Sequence, residues 1–227
     1  MLRKVNTLLK EDGYVYVEVP DLYQIYPAIY SYFHHEHMSY FTPVSLENAL
    51  RGSGFSIDIL EQFVDNPGGT GKGYPVLRAI ARKRLEVEGR RRNDYVSVMR
   101  VINDYQKALL SFQERVVKPL EREIESWIKK KRRVAIFGAG PHTMTLFEIE
   151  GIRKVNCVAI FDNNPRKWGL DIYGIPVHGP GDVASIGPDV VLISSRERED
   201  EIFAKIADWK SCGIDVVRIY QREHDSR

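Results

Sequence analysis

Hydrophobic and polar positions divide the 227-residue chain into three regions. Between residues 1 and 84, short β-rich runs alternate with glycine-containing turns. Between residues 93 and 131, apolar residues recur every three or four positions, which is typical of an amphipathic helix. From residue 132 to 227, strand-like runs alternate with helix-like runs, which predicts a parallel sheet with right-handed crossovers. The pattern therefore predicts an α/β protein built from these three parts.

The first region predicts two helices and three strands. Val5, Leu8 and Leu9 have the spacing of a helix's inner stripe, and Gly13 is placed to end that helix. Thr42 followed by proline predicts the N-cap of a second helix. The strands are expected at residues 14–19, 55–64 and 75–82.

The second region predicts one long helix or a helix pair, on the order of 50 Å long if unbroken. Pro119 is expected to kink or split it near Val116. A spacer or an oligomer interface is the role that such a helix most often has.

The third region predicts a small Rossmann-like domain. Its first strand, residues 133–137, leads into a glycine turn (residues 138–140) and then a helix. Asp162 ends the next strand, where a ribose-binding acid would lie in a dinucleotide site. Thr143 stands where G-x-G-x-x-G has its third glycine. Three interpretations remain open: binding of NAD, contact with a sugar nucleotide, and a purely structural domain.

Composition excludes several function classes. Lys and Arg number 33 against 31 Asp and Glu, and this near balance argues against nucleic-acid binding driven by charge. The basic clusters at residues 90–92 and 129–133 are interpreted as solvated segments, the second at a helix C-terminus. Cys157 and Cys212 are too few for a disulfide framework and fit a reducing cytoplasm. No apolar run approaches a membrane span, and the N-terminus becomes charged too soon for a secretory signal.

Several motifs resemble the sugar-nucleotide C-methyltransferases of deoxysugar biosynthesis. Residues 8–20 resemble the helix, turn and fifth strand of class I S-adenosylmethionine-dependent methyltransferases. Residues 35–43, with Ser45-Leu46 and Gly54-Phe55, are similar to the HEH-x-SYFTP-x-SL…GF pattern of that family. The turn at residues 68–70 resembles the family's GGS turn, and residues 137–140 match its YGAG-type turn.

The resemblance implies the C-terminal half of a methyltransferase fold. It implies a truncated three-stranded sheet, a long connecting helix and a Rossmann-like C-terminal domain. S-adenosylmethionine is the cofactor by resemblance only, because the family binds it on two earlier strands that have no counterpart here. A missing or separate half is therefore expected to complete the site. The strand at residues 14–19 would present an open edge, covered by a second copy, the long helix or another polypeptide.

The resemblance also implies the catalytic residues. The family's Tyr-His-Glu-His run corresponds to His34, His35, Glu36 and His37, so a histidine occupies the tyrosine position. A histidine is a suitable base for a carbon acid at neutral pH. Tyr32 or Tyr40 could replace the lost phenol. A metal site at the histidines and plain loop histidines are the alternatives, and no second ligand cluster with recognisable spacing accompanies them.

In the family that the sequence resembles, the nucleotide sugar lies between the methyltransferase and C-terminal domains. The residues implied as its neighbours follow the ends of predicted strands: Gly138, Gly140, Pro141, His142, Asp162, Ser194, Ser195 and Arg196. The first functional hypothesis is a partial methyltransferase that acts on a nucleotide sugar or glycan precursor. The second is a noncatalytic sugar-nucleotide-binding, oligomerising module, and the third is a scaffold that binds neither ligand.

Overall fold

The computed structural model describes residues 1–29, 32–33, 37–65, 73–85 and 91–221. The contacts among these residues divide the chain into two units. The first unit comprises residues 1–27, 32–33, 37–65, 73–85 and 91–108, and the second comprises residues 28–29 and 109–221.

The first unit is built around a three-stranded antiparallel sheet. Its elements before the long helix are α1 (Leu2–Leu8), β1 (Tyr14–Pro20), α2 (Pro43–Arg51), β2 (Phe55–Asp65) and β3 (Tyr74–Lys83). The strand order is β1-β3-β2, so β3 is central. Leu77, Ala79 and Ala81 of β3 are buried against Leu46 and Leu50 of α2, because alternate residues of a strand point to the same face.

The inner stripe of α1 differs from the predicted one. Leu2, Val5 and Leu9 pack on the core of the first unit, whereas Leu8 is 78% exposed. The helix ends at Leu8 and Leu9 is extended, so Leu9 reaches the core from outside the helical period. The predicted stripe was therefore wrong at Leu8.

The start of α2 confirms the predicted cap. The Thr42 hydroxyl accepts the Ser45 N–H at 3.0 Å, and the Ser45 hydroxyl accepts the Thr42 N–H at 2.8 Å. This capping box satisfies two donors at the helix terminus that would otherwise lack partners. Thr42 also donates to the carboxylate of Asp94, 2.6 Å away, which fixes the segment that leads into the long helix.

The edge position of β1 also agrees with the sequence. In the described part of the chain, β1 pairs with β3 and has no strand on its other side. Tyr14 and Tyr16 of this edge strand are more than half exposed. The strand therefore offers free main-chain donors and acceptors for pairing.

The long helix is continuous but irregular near Pro119, as predicted. It consists of α3 (Tyr95–Phe112), one π-helical turn (Gln113–Val117) and α4 (Lys118–Lys129). Proline has no N–H to donate to the preceding turn, and the wider π turn lies directly before it. The buried stripe of α4 continues the apolar period with Leu120, Ile124 and Trp127.

The second unit carries a six-stranded, mostly parallel sheet in the order β6-β7-β5-β4-β8-β9. Only β6 runs antiparallel, in a short hairpin with β7 that the sequence pattern did not reveal. The strands are β4 (Arg133–Phe137), β5 (Asn156–Phe161), β6 (Asp171–Ile172), β7 (Ile175–His178), β8 (Val190–Ile193) and β9 (Asp215–Arg218). The helices are α5 (Pro141–Leu146), α6 (Val183–Ile186) and α7 (Glu199–Ile206). Together the two sheets and the helix confirm the predicted α/β fold class.

The core of the second unit lies beneath α7. Phe137, Phe161 and Ile193 of the three central strands are almost fully buried, and Ile202 and Ile206 of α7 cover them. Strands buried on both faces are typical of parallel sheets. The sheet therefore holds the ends of β4, β5 and β8 in fixed positions at one edge, where the parallel strands terminate. We call this the carboxyl edge.

In the described residues, no helix combines the length and apolar character needed to cross a bilayer. Both cysteines are free thiols. Burial raises the pKa of the Cys157 thiol to about 12, which agrees with its predicted place in the core rather than at a reactive site.

Candidate functional site

The predicted catalytic run falls partly outside the described residues. His34, His35 and Glu36 lie outside them, and His37 is described. The His37 ring lies between two phenols, with ring centroids 6.1 Å from Tyr40 and 5.9 Å from Tyr74. The His37 Nδ1 atom and the Tyr74 hydroxyl oxygen are inaccessible to solvent. The histidine therefore sits against an aromatic cluster within the first unit.

The two tyrosines expected to replace the lost phenol are both engaged by the main chain. The Tyr40 hydroxyl donates to the Tyr32 carbonyl at 2.8 Å. The Tyr32 hydroxyl donates to the Asp21 carbonyl at 3.1 Å, and Tyr32 is fully buried. Burial, followed by the neighbouring Tyr74, raises the pKa of Tyr32, so this phenol stays neutral. In this arrangement Tyr32 is closed off from solvent, and the hydrogen of Tyr40 is already donated.

The metal interpretation gains no support. Within the described ranges, no group of three or more His, Cys, Asp or Glu side chains is arranged to hold a metal ion. Two of the three histidines named for it, His34 and His35, lie outside those ranges.

A small cavity of the first unit lies away from these residues. It has a volume of about 230 Å³ between the start of α2 and β2, and Glu47, Glu61 and Arg92 are among its lining residues. Glu47 already pairs with Arg92 at 3.0 Å and with Arg51. None of the candidate site residues that the structure describes lines this cavity.

In the second unit, the glycine turn leaves β4 in a conformation that requires glycine. Gly138 has φ +119°, and a Cβ there would lie 2.7 Å from the Ser194 carbonyl oxygen. Gly140 is extended, and nothing lies within 4 Å of the Cβ that it would carry. The first glycine thus permits the close approach of β4 and β8, whereas the second faces open space.

This difference gives a matched pair of variants. We expect Gly138→Ala to lower the free energy of unfolding of the second unit by about 2 kcal/mol, because it combines a strained φ with a backbone clash. Gly140→Ala should cost about half of that or less. Urea denaturation, with amide hydrogen exchange in β8 as the readout, measures the loss of stability in each variant. Equal effects of the two substitutions would contradict the close approach.

The carboxylate of Asp162 is hydrogen-bonded to the glycine turn and is therefore not available to a ribose hydroxyl. Its carboxylate accepts the Ala139 N–H at 2.8 Å, the Asn164 N–H at 2.8 Å and the Lys167 ammonium at 3.0 Å. Burial alone would raise the pKa of Asp162, but these hydrogen bonds and the lysine charge outweigh burial and lower it. Lys167 also donates to the Ala139 carbonyl at 2.8 Å. Asp162 and Lys167 therefore bind both main-chain polar groups of Ala139, and we call this arrangement the clamp.

This clamp does not fit a dinucleotide. The Ala139 N–H, which a pyrophosphate would need, already binds the Asp162 carboxylate. Pro141 has no N–H, and Thr143 is buried where the fingerprint needs a glycine. The residues present therefore do not provide an NAD site, and the strand-ending aspartate has a structural partner instead.

His142 is buried and forms part of a polar network. Its Nδ1 lies 2.8 Å from the Ser194 hydroxyl, and its Nε2 lies 2.6 Å from the Tyr220 hydroxyl. The Thr143 hydroxyl bonds the Gly138 carbonyl and lies 2.8 Å from the Ser194 hydroxyl. A carbonyl only accepts, so the single hydrogen of Thr143 goes to Gly138, and Ser194 donates to Thr143. His142 must then donate from Nδ1 and accept from Tyr220 at Nε2.

This proton order requires a neutral imidazole. Burial, followed by the nearby positive charge of Arg196, lowers the pKa of His142 to about 4. The Tyr220 hydroxyl also accepts the Ile29 N–H at 3.2 Å, so every member of the network has a partner. His142 is therefore a structural group within the sheet edge and does not face a ligand directly.

The remaining predicted neighbours lie at the surface of the same edge. Ser195 and Arg196 are partly exposed, and the Ser195 hydroxyl accepts the Arg198 N–H at 3.2 Å. The Arg196 guanidinium lies 5.9 Å from the centroid of the Tyr220 ring. The structure thus joins Gly138, His142 and Ser194 directly and connects Asp162 to them through the glycine turn.

Sequence reasoning missed three residues of this edge: Lys167, Trp168 and Tyr220. The first two follow Asp162 in the short turn Asn-Asn-Pro-Arg-Lys-Trp-Gly, where a lysine and a tryptophan side by side are the available signal. The Trp168 indole N–H donates to the Asp162 carbonyl at 2.7 Å. Tyr220 follows the last strand, and nothing in its local sequence indicates a partner 78 positions earlier.

The solved structures that match parts of this chain share little sequence with it. UDP-D-quinovosamine 4-dehydrogenase from Vibrio fischeri is 19% identical, covers 38% of this chain and 76% of its own, and gives a TM-score of 0.31. RSP, a Rex-family repressor, is 20% identical over 53% of this chain and 52% of its own, with a TM-score of 0.34. RSP in complex with β-NADH is 19% identical over 54% of this chain and 60% of its own, with a TM-score of 0.33. The match thus spans little more than half of the repressor.

No curated protein matches the sequence. One protein-family model does match: that of the C-methyltransferase C-terminal domain, over residues 86–219. The match covers more than half of the chain, including all of β4 to β9. The chain therefore belongs to the C-methyltransferase C-terminal domain family.

Proposed function

We propose that this chain is part of an S-adenosylmethionine-dependent C-methyltransferase that acts on a nucleotide-linked sugar. The observation that carries the proposal is the family match across the parallel-sheet unit. The resemblance of residues 35–43 to the family's histidine run supports the same activity from the other end of the chain. The nucleotide sugar would lie at the carboxyl edge, which these residues form: Gly138, Gly140, Pro141, His142, Asp162, Ser194, Ser195 and Arg196.

Within that set the structure favours different roles for different residues. Ser195 and Arg196 are partly exposed, so they can donate directly to a sugar hydroxyl or a phosphate. His142 and Ser194 are buried, so they act by holding the glycine turn and the end of β8. Asp162 is committed to the Ala139 N–H and to Lys167, so it shapes the edge and leaves little charge to a ligand.

The methyl donor does not fit the described residues. The strands of the first unit are all antiparallel, and none leads through a glycine turn into a helix within the described ranges. The glycine turn of the second unit is occupied by Asp162. We therefore assign S-adenosylmethionine to a missing or separate half, and the open edge of β1 is where a further strand could pair.

The reaction step assigned to this chain is proton removal. A neutral histidine nitrogen takes a proton from the sugar carbon next to a keto group. The electron pair of the broken C–H bond forms a C=C bond, and the π pair of the keto group moves to its oxygen, which gives an enolate and an imidazolium. His37 and His35 are the candidates for this base, with Glu36 and His34 beside them. His37 lies against Tyr40 and Tyr74, which limits the directions in which its ring can face.

Proton removal can be tested without the methyl donor. The chain is incubated in D₂O with a nucleotide-linked 4-ketosugar, and NMR follows exchange of the hydrogens next to the keto group. We expect exchange by the wild type, and a loss of about 100-fold or more in His35→Gln or His37→Gln. Lys107→Gln, a change of an exposed side chain on α3, should leave the rate unchanged. Failure of the wild type to accelerate exchange would contradict the catalytic role.

A second candidate function is noncatalytic binding of a sugar nucleotide. It is favoured by His34 at the family's tyrosine position and by the lack of a methyl-donor site in the described residues. Calorimetry separates the two functions when the chain is titrated with S-adenosylmethionine and with a nucleotide sugar. Binding of the nucleotide sugar together with an absence of exchange in D₂O would establish the binding module.

A further inference from the structure

Trp168 stands out among the three tryptophans of the chain by its exposure. It is 47% exposed, whereas Trp127 is 7% exposed. Trp209 packs against the rings of Phe137 and Phe161, with centroids 6.0 and 5.6 Å away. Leaving a large aromatic ring in water forgoes the stabilisation that its burial would provide. Trp168 is therefore the tryptophan whose ring a ligand can reach.

The ring of Trp168 is nevertheless held in place. Its indole N–H donates to the Asp162 carbonyl at 2.7 Å. Its six-membered ring packs so closely on Gly179 that a Cβ at residue 179 would lie 2.8 Å from Cζ2. The following residue, Gly169, donates its N–H to Val177 of β7 at 2.8 Å. The indole is thus anchored to the ends of β5 and β7, and a ligand that stacks on it would pay little to order it.

The charges around Trp168 favour an anionic ligand. Arg166 is exposed two residues earlier, and the Lys167 ammonium lies between Asp162 and the Ala139 carbonyl. Three carboxylates belong to the adjoining turns. Lys167 and two backbone N–H groups already compensate the charge of Asp162, Asp171 accepts the Gly174 N–H, and Asp182 lies 3.4 Å from the His178 ring.

We propose that Trp168 is the stacking surface for the base of a nucleoside diphosphate bound at the carboxyl edge. This inference rests on the proposed sugar-nucleotide function and extends it by one strand, from the ends of β4, β5 and β8 to that of β7. Every nucleobase has a π-face that stacks on an indole, and the exposed guanidinium of Arg166 suits the diphosphate. The site therefore binds nucleotides through the base plane and does not require a free glycine-turn N–H.

The test uses the full chain and two probes, thymidine diphosphate and inorganic pyrophosphate. Thymidine diphosphate is expected to quench the fluorescence of Trp168, and Trp168→Ala should weaken its binding about ten-fold or more. Trp168→Phe keeps a stacking plane and should retain most of the affinity while losing the quench. Pyrophosphate has no base, so its affinity should not change in either variant.

Tyr173→Ala is the matched control, because Tyr173 is an exposed aromatic residue of the neighbouring hairpin and contacts Phe147 and Arg153 instead. It should leave nucleotide affinity unchanged. If wild type and Trp168→Ala bind thymidine diphosphate equally, the stacking role is overturned while sugar-nucleotide binding stands. If the wild type binds neither the diphosphate nor a nucleotide sugar, both the stacking role and the proposed site at the carboxyl edge fail.

Discussion

Replacing Glu199 with alanine is expected to lower the free energy of unfolding of the second unit by about 4 kcal/mol. Glu199 is 3% exposed, and its carboxylate accepts the N–H groups of Ile219 at 2.6 Å and Tyr220 at 2.8 Å. Alanine leaves both buried donors without an acceptor, and each such loss costs about 1–3 kcal/mol. Urea denaturation followed by amide hydrogen exchange in β8 and β9 measures the change.

Two further variants separate the acceptor role of Glu199 from its charge. Burial raises the pKa of Glu199 and so favours its neutral, protonated carboxyl. The neutral amide of Glu199→Gln resembles that form, so this substitution should lower the free energy of unfolding by only about 1 kcal/mol. Glu201→Ala removes a carboxylate that pairs with Arg198 and Lys205 on the same helix, and it should also cost about 1 kcal/mol or less. A glutamine variant as unstable as the alanine variant would show that the charge, rather than the two N–H contacts, matters.

The neutral state of His142 predicts a loss of stability in acid. Its pKa is lowered from 6.5 to about 4 in the folded protein, so the unfolded chain binds more protons than the folded one between these pH values. The contribution of His142 to the free energy of unfolding is therefore present above pH 6.5 and decreases as the pH falls. The loss reaches about 3 kcal/mol below pH 4, of which about 2 kcal/mol appears by pH 5.

The measurement compares wild type with His142→Asn in urea at several pH values. The variant cannot be protonated, so its stability should fall less between pH 7 and pH 5, by about 2 kcal/mol. It should be less stable than wild type at pH 7, because the contact with Tyr220 is lost. His178→Asn, near the surface beside Asp182, is the control for a general effect of removing a histidine. Parallel pH profiles for wild type and His142→Asn would contradict a buried neutral imidazole.

Local pattern was sufficient for the elements that depend on neighbours in sequence. The alternation in residues 14–19 and the apolar run at residues 133–137 correspond to β1 and β4. Thr42 before a proline marked the start of α2, and Pro119 marked the irregular turn of the long helix. Each of these signals acts within one or two turns of the backbone, so the sequence contains its cause.

The glycine turn after β4 depends on contacts that the local sequence does not reveal. Its position after β4 followed from the sequence, as did Asp162 at the end of the next strand. The chemistry of the turn did not follow from the sequence, because spacing alone does not show whether an aspartate faces a ribose or an N–H of the neighbouring turn. In the fold, the Asp162 carboxylate fills the place that a phosphate would need.

By itself, the sequence determined the α/β class, the order of the elements and the family motifs, because periodicity and capping are local properties of a chain. Only the tertiary structure decided that His142 is buried, that Glu199 holds the last strand, and that Trp168 is anchored but exposed. The physical reason is that a polar or aromatic side chain takes its role from its partners. The partners of these three lie between 6 and 78 positions away, at strand ends that the sheet brings together.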